Sequence, residues 1–164
     1  GATVAVLDIN EERLVFAQEQ LKADILLDGS QGFCTEILRE QLDKSHDGKF
    51  MGLLPTVVFD ATGNPKSMKN AFNYVAFGGK LVFVGLFIGD IIFDDPLFHR
   101  REITLFASRN SLPQDFTNII DLMENGKIDI KPWISHRAQF DELPEIFNHW
   151  LDPESKVIKA MVSI

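Results

Sequence analysis

Side chains that can bind a ligand follow directly after several apolar runs of this sequence. The run at Val4–Leu7 leads straight into Asp8, and Arg13 follows within the next stretch. A carboxylate at the end of a buried strand can accept hydrogen bonds from both hydroxyls of an adenosine ribose, each contributing about 1.5 to 3 kcal/mol. Asp8 is therefore a candidate ribose ligand, and Arg13 can lie across the adenine or the ribose edge.

Two interpretations of Asp8 are open at this point. As a ribose ligand, its negative charge would repel a 2′-phosphate and so favour NAD over NADP. The alternative is that Asp8 caps the helix that follows and that Arg13 belongs to a solvated helix face.

Three further strand ends carry small or basic residues. "DATG" at Asp60–Gly63 and "VG" at Val84–Gly85 allow a flat ring or a sugar to lie against the backbone, although such glycines are also ordinary in turns. "FASRN" at Phe106–Asn110 adds two small residues and then Arg109. Arg109 can pair with an anionic group of a ligand, or it satisfies carbonyl groups at the surface.

The histidines and the cysteine offer weaker candidates. Neither His99 nor His136 has a partner at a spacing that indicates acid–base catalysis, so we expect structural or surface roles for both. Cys34 lacks a basic neighbour that would lower its pKa, which predicts an inert thiol. These residues match no zinc-ligand spacing, and we expect the chain itself to bind no metal.

Strands and helices alternate along the chain, which predicts βαβ crossovers and a doubly wound parallel sheet of the α/β class. In such sheets, ligands bind outside the carboxyl ends of the strands. The polar stretch at Lys44–Lys49 is expected to end the second helix. The predicted strands are Val4–Leu7, Ile25–Leu27, Val57–Phe59, Leu81–Val84, Ile103–Ala107 and Val157–Ile164. The predicted helices follow Asn10 and Asn64 or span Thr35–Asp43, Pro113–Asn125 and Asp141–Trp150. The side chains expected to face inward are Leu14, Ala17, Leu21, Ile37, Leu38, Leu42, Met68, Ala71, Phe72 and Val75.

Composition limits the functional classes. The chain has 164 residues, a formal charge of −8, a pI near 4.9 and one cysteine. The length predicts one domain over residues 1–164. The acidic charge disfavours nucleic acid and anionic membrane surfaces as partners. Without a long apolar run or an internal disulfide, a cytoplasmic protein is expected. The 14 phenylalanines are expected mostly in the core.

Six segments together resemble the cofactor domain of medium-chain dehydrogenases, in the zinc-dependent alcohol and polyol branch that includes sorbitol, idonate and galactonate dehydrogenases. The resemblance implies a Rossmann-like fold and NAD-dependent oxidation of a secondary alcohol in a polyol or sugar acid. It also implies zinc bound by a catalytic domain that this chain lacks, so that the chain supplies no catalytic residue. The segments are "VAVLDIN", "VVFDATGNP", "GGKLVFVGL", "DDPLFHRREITLFASRN", "KPWISHRAQFDELPEIF" and "VIKAMVSI".

The resemblance also implies roles for individual residues. Asp8 would hold the adenosine ribose, with Arg13 beside it. Ala61, Thr62 and Gly63 would line the cofactor. Val84 and Gly85 would lie near the nicotinamide, Ala107 and Ser108 would offer backbone groups to its carboxamide, and Lys159 would lie near the pyrophosphate.

The sequence departs from that family at its start. Relatives begin this domain with a strand, a G-x-G-x-x-G turn and a helix, and this sequence is expected to open at the second strand, Val4–Leu7. We therefore interpret the chain as a carboxy-terminal fragment that is inactive alone. Loss of a central strand would leave the strands at Val4–Leu7 and Val57–Phe59 with free edges, which we expect to pair directly or to close by dimerisation or swapping into a homo-oligomer.

Two other functional classes stay open: a Rossmann-like methyltransferase, and a non-catalytic nucleotide-sensing or assembly module.

Overall fold

A computed structural model describes residues 1–32, 34–45 and 53–164, in which strands and helices alternate. The predicted polar stretch at Lys44–Lys49 lies outside the described residues from position 46 onward. Within the described ranges, no helix is long and apolar enough to cross a membrane. The strands are β1 (Ala5–Asp8), β2 (Ile25–Asp28), β3 (Val57–Asp60), β4 (Lys80–Phe83), β5 (Thr104–Ala107), β6 (Ile134–Gln139) and β7 (Lys159–Ser163). The helices are α1 (Glu11–Glu19), α2 (Cys34–Ser45), α3 (Pro65–Ala71), α4 (Asp95–Arg100), α5 (Pro113–Glu124) and α6 (Leu143–Leu151).

The strands pair in parallel, which confirms the predicted α/β class. β1 pairs with β2, β3 with β4, β4 with β5, and β6 with β7. The register places Asp8 opposite Asp28. It also places Asp60, Phe83 and Ala107 in one row. The carboxyl ends of neighbouring strands are therefore level, and the residues that follow them lie side by side.

The expected direct pairing of β1 with β3 is wrong. In the described part of the chain, β1 is bonded to β2, whereas β3 belongs to a separate sheet in the order β3-β4-β5. Each of these two sheets packs on its own hydrophobic cluster. Closure by dimerisation or swapping stays a prediction.

The chain forms two compact units, Gly1–Asn110 and Ser111–Ile164, although no linker marks a boundary in the sequence. The first unit contains β1 to β5. The second contains α5 and a β6-α6-β7 crossover, in which the register shifts between Ile134 and His136. The assignment of residues 1–164 to one domain stays a prediction.

Phe72 is the centre of the larger core in the first unit. Its ring stacks on Phe93 with centroids 4.4 Å apart and meets Phe83 and Phe98 edge to face at 6.0 and 6.1 Å. These four rings are called the aromatic cluster below. They pack with buried aliphatic residues of α3, β4 and α4. Such aromatic pairs add about 0.5 to 1.5 kcal/mol each beyond area burial.

A second core lies under β1 and β2. Ile25 and Leu27 of β2 face Leu38 and Leu42 of α2, and these four residues are called the aliphatic cluster below. Tyr74, which follows α3, packs against this cluster although it is only two residues from Phe72. The segment after α3 therefore contacts both cores.

Some expectations about inward-facing residues are wrong. Ile37 is 37% exposed because it lies about 100° around α2 from the buried stripe of Leu38 and Leu42. Leu21 is exposed because α1 ends at Glu19, so that this residue no longer lies on the helix face. Phe59 is 68% exposed, so the phenylalanines are not uniformly core residues. The expected burial of Met68, Ala71, Phe72 and Val75 is confirmed.

Two elements were not expected from the sequence. The short helix α4 begins after Asp94, whose Oδ1 accepts a hydrogen bond from the Leu97 N–H at 3.0 Å. The signal that could have predicted this helix is "DDP", in which an aspartate caps the helix and a proline follows in its first turn. Strand β6 carries His136 and Arg137 among its residues, and these polar side chains hide the period of the strand.

Arg101 fixes the end of the segment that follows α3. Its Nη1 donates hydrogen bonds to the backbone carbonyls of Phe72, Asn73 and Val75 at 3.2, 2.9 and 2.9 Å. Burial, with the nearby charges of Arg39 and Arg100, lowers the pKa of the guanidinium. The group remains charged because the ordinary pKa of arginine is far above neutrality.

Replacing Arg101 with methionine is expected to lower the free energy of unfolding by about 2 kcal/mol, because three carbonyls lose a charged donor. Urea denaturation measures this value. Arg100→Met is the matched control: Arg100 is the exposed neighbour on α4, and we expect a change below about 0.5 kcal/mol. Equal losses in the two variants would contradict the role given to Arg101.

Candidate functional site

Asp8 ends β1 and is not the cap of α1. Its Oδ1 accepts a hydrogen bond from the Asn10 N–H at 2.9 Å. The capping is done by Asn10, whose Oδ1 accepts from the N–H groups of Glu12 and Arg13 at 2.9 and 3.2 Å. The helix-capping alternative for Asp8 is therefore not what the structure shows.

The second carboxylate oxygen of Asp8 faces Arg13. Nη1 of Arg13 lies 3.8 Å from Oδ2 of Asp8, and the two side chains are 67% and 27% exposed. An ion pair this exposed contributes at most about 1 kcal/mol. Oδ2 thus retains acceptor capacity at the surface, beside a cation that can contact a neighbouring ring or sugar.

Asp28 occupies the matching position on β2. Its Oδ1 accepts hydrogen bonds from the Ser30 hydroxyl at 2.6 Å and the Ser30 N–H at 2.9 Å, and its Oδ2 accepts from Gln31 at 2.8 Å. The Ser30 side chain and then its backbone lower the pKa of Asp28. The carboxylate of Asp28 is therefore engaged in its own turn, unlike Oδ2 of Asp8.

The turn Ala61–Gly63 is organised by Asp60, the last residue of β3. Oδ1 of Asp60 accepts from the Thr62 N–H at 3.0 Å and from the Thr62 hydroxyl at 2.7 Å. Oδ2 accepts from the Ser67 hydroxyl at 2.6 Å. The side chain of Thr62 is thus directed into the turn, and this turn offers mainly backbone groups to a ligand.

Gly85 lies against that turn. A Cβ added to Gly85 would overlap the backbone N of Gly63 and approach the carbonyl carbon of Ala61 to 3.1 Å. Gly63 has φ +61°, and a Cβ there would lie 2.8 Å from the Leu86 carbonyl oxygen. The two strand-end segments are small because their backbones touch. This contact accounts for both glycines without a ligand.

Ala107 ends β5 and Ser108 follows it, and the two continue the same row. Ala107 is the register partner of Phe83, and the Ser108 N–H donates to the Phe83 carbonyl at 2.9 Å. Both residues and Arg109 are exposed. The structure therefore brings the turn, Val84–Gly85 and Ala107–Ser108 together at one edge of the three-stranded sheet.

Lys159 begins β7 in the second unit. Its N–H and that of Ile158 donate to the Ser135 hydroxyl oxygen at 3.3 and 2.9 Å, while its carbonyl accepts from the same hydroxyl at 3.2 Å. Ser135 thus fills the register shift between β6 and β7. The side chain of Lys159 is exposed.

Comparison with known proteins identifies the family of this chain. The family model described as zinc-binding dehydrogenase matches residues 1–125. An L-galactonate-5-dehydrogenase of Escherichia coli strain K12 is 36% identical over 163 residues, covering 99% of this chain. The chain belongs to the zinc-binding dehydrogenase family. It spans 45% of the length of that relative.

A second sequence relative and a solved structure are also similar to this chain. An L-idonate 5-dehydrogenase of Vitis vinifera is 30% identical over 142 residues, which is 85% of this chain and 36% of that protein. An alcohol dehydrogenase of E. coli CFT073, solved with NADH, has a TM-score of 0.80 at 23% identity, covering 99% of this chain and 44% of that one. This structural likeness confirms the Rossmann-like fold.

His99, His136 and Cys34 each have a local partner. His99 pairs with Asp95, one helical turn away on α4, with 3.0 Å between Nδ1 and Oδ1. His136 Nδ1 lies 3.0 Å from the Ser135 hydroxyl oxygen. Cys34 is buried, with its thiol 3.6 Å from the Asp28 carbonyl. Among the described residues, no three His, Cys, Asp or Glu side chains form a group suited to a metal ion.

The sequence analysis includes Asp60 in a strand-end motif but misses its role. Asp60 is 5% exposed, and among the described residues it is the charged side chain that is buried. A sequence signal existed: an aspartate that ends a strand, with threonine two residues later, often forms a local turn of this kind.

Proposed function

We propose that this chain is the NAD-binding part of a zinc-dependent oxidoreductase that oxidises a secondary alcohol of a polyol or a sugar acid. The observation that carries the proposal is Asp8, whose Oδ2 keeps acceptor capacity at the carboxyl end of β1 in a member of this family. The names of two relatives, an L-galactonate-5-dehydrogenase and an L-idonate 5-dehydrogenase, support the substrate class. A third relative was solved with NADH.

In this proposal, each strand end contributes to one part of the cofactor. Asp8 accepts the ribose hydroxyls and its charge disfavours a 2′-phosphate, so that NAD is preferred over NADP. Arg13 lies along the adenosine. When bound, the nicotinamide ring accepts the hydride from the alcohol carbon.

The exposed backbone at the edge of the three-stranded sheet is proposed to seat the nicotinamide end. Ala61, Thr62 and Gly63 line the cofactor, Val84 and Gly85 lie near the ring, and Ala107 with Ser108 offers backbone groups to the carboxamide. The role of Lys159 near the pyrophosphate stays a prediction, since this residue belongs to the second unit.

The described residues do not form a zinc site, so we derive no step of metal chemistry from them. In the proposal, the ligands of zinc belong to a catalytic domain outside this chain. The part of this chain is to bind and orient NAD.

The predictions of partners and oligomeric state follow from charge and from the strand edges. A charge of −8 disfavours nucleic acid and anionic membranes as partners. We expect a cytoplasmic homo-oligomer, with contacts that cover the free edges of β1 and β3.

The test uses the full-length protein that contains this sequence. We expect bound zinc by atomic absorption, and NADH formation with a panel of polyols and sugar acids. The 164-residue chain alone is expected to bind NADH weakly and to show no turnover. NADH binding without any alcohol oxidation would favour a nucleotide-sensing module, and S-adenosylmethionine binding would favour a methyltransferase. Family membership makes both less favoured.

A further inference from the structure

Asp60 carries a buried carboxylate that makes none of the proposed cofactor contacts. A buried carboxylate is costly unless hydrogen bonds replace its water. Here three donors do so, namely the Thr62 N–H, the Thr62 hydroxyl and the Ser67 hydroxyl, at 3.0, 2.7 and 2.6 Å. Short bonds between hydroxyls and a carboxylate are among the stronger hydrogen bonds in proteins. Asp60 is therefore an anchor for the segment that follows it.

The hydrogen bonds of the Asp60 side chain connect the turn Ala61–Gly63 to helix α3. Thr62 lies within the turn, whereas Ser67 lies in the first turn of α3. Thr62 Oγ1 also accepts from the Asn64 N–H at 3.1 Å, and Asn64 caps α3 by accepting from Lys66 at 2.9 Å. Ala61–Gly63 is consequently tied to the start of α3 by a continuous series of hydrogen bonds.

The backbone of Asp60 fixes the neighbouring segment as well. Its carbonyl accepts from the N–H groups of Val84 and Gly85 at 2.8 and 3.0 Å. Asp60 therefore contacts two of the three strand-end segments that are proposed to seat the cofactor. The Thr62 hydroxyl proton is donated to Asp60, so this side chain is committed to the turn.

We propose that Asp60 is a positioning residue for the cofactor, which fixes the backbone of Ala61–Gly63 beside Val84–Gly85, and that Thr62 acts through Asp60. This inference rests on the proposed function, because it assigns a role within the same NAD site. It predicts that the turn contributes to the affinity for NADH through its shape rather than through a direct contact of the Thr62 side chain.

The experiment measures the Kd of NADH by fluorescence titration of the full-length protein. Asp60→Ala removes all three side-chain bonds of Asp60, whereas Thr62→Val removes those of the Thr62 hydroxyl and keeps the bond from the Thr62 N–H. Each is expected to raise Kd about 10-fold. Asp60→Asn keeps an acceptor for Thr62 and a donor for Ser67. Thr62→Ser keeps the hydroxyl. Both conservative variants are expected to stay within about 2-fold of the unmodified protein.

Arg101→Met is the matched control, since it destabilises the segment after α3 without touching the turn. At a similar loss of Tm, it is expected to leave the Kd of NADH unchanged. If Kd rises equally in Arg101→Met, the role of Asp60 is stability alone and the inference is overturned. Should Asp60→Ala fail to fold, the Kd of NADH is compared between Thr62→Val and Thr62→Ser. Equal Kd values in these two variants would overturn the inference.

The two proposals fail in different ways. If the unmodified full-length protein binds no NADH, the proposed function is wrong. If it binds NADH and neither Asp60→Ala nor Thr62→Val changes Kd, only the positioning role is wrong.

Discussion

Asp8→Asn is expected to weaken NADH binding by about 30- to 100-fold in the full-length protein, because asparagine removes the charged acceptor of the ribose hydroxyls. The Asn10 N–H can still donate to the side-chain oxygen at position 8, so the bend between β1 and α1 is retained. Binding of NADPH is expected to change much less, since the loss of repulsion offsets the lost hydrogen bonds. The Kd of NADPH divided by the Kd of NADH, both measured by fluorescence titration, is therefore expected to fall.

Asp28→Asn is the matched control for this effect. Asp28 is the register partner of Asp8 on the next strand, with its carboxylate engaged by Ser30 and Gln31. We expect a change in the Kd of NADH below about 3-fold, since only a more distant charge is removed. Equal effects of the two variants would show that overall negative charge, and not a ribose contact, determines the affinity.

Gly85→Ala is expected to lower the free energy of unfolding by about 3 kcal/mol, because its methyl group would overlap the backbone of Gly63. Neither backbone can yield without moving the turn Ala61–Gly63 or the end of β4. We expect a loss of NADH affinity to accompany the loss of stability. Thermal denaturation and NADH titration of the full-length protein measure the two effects.

Gly29→Ala provides the comparison, since Gly29 also follows a strand and also has an ordinary φ. A Cβ at Gly29 would meet the ends of the Leu7 and Ile9 side chains at 3.1 and 3.3 Å, and these can move. We expect a change in unfolding free energy below about 1 kcal/mol. If Gly85→Ala is tolerated as well as Gly29→Ala, the close contact between the two strand ends is not rigid.

Much of the first unit is predictable because its signals are local. The apolar run before Asp8 predicts a buried parallel strand, and the asparagines at positions 10 and 64 predict helix starts that the structure confirms by their hydrogen bonds. The wrong or missing predictions, in both units, have equally local causes. Strand β6 carries polar side chains, and Leu21 lies just past the end of its helix.

The candidate site is less predictable, because its geometry depends on contacts between distant segments. Gly63 and Gly85 are ordinary turn glycines in the sequence, and only the parallel pairing of β3 with β4 brings their backbones together. The sequence left two explanations of these small residues open, a ligand lying against the backbone or an ordinary turn, and the structure adds a close contact between their backbones. The bond between Thr62 and Asp60 is the exception, since the two residues are only two positions apart and their types already favour a local turn.

The position of Tyr74 gives the first unit a natural spectroscopic reporter. It is the one tyrosine of the sequence, and it packs on the aliphatic cluster from a segment that begins in the aromatic cluster. Burial, followed by the neighbouring Cys34, raises the pKa of its hydroxyl above the ordinary value of 10.0. The phenolate absorbs at longer wavelength than the phenol, so alkaline titration followed in the near ultraviolet reports whether the two clusters remain joined.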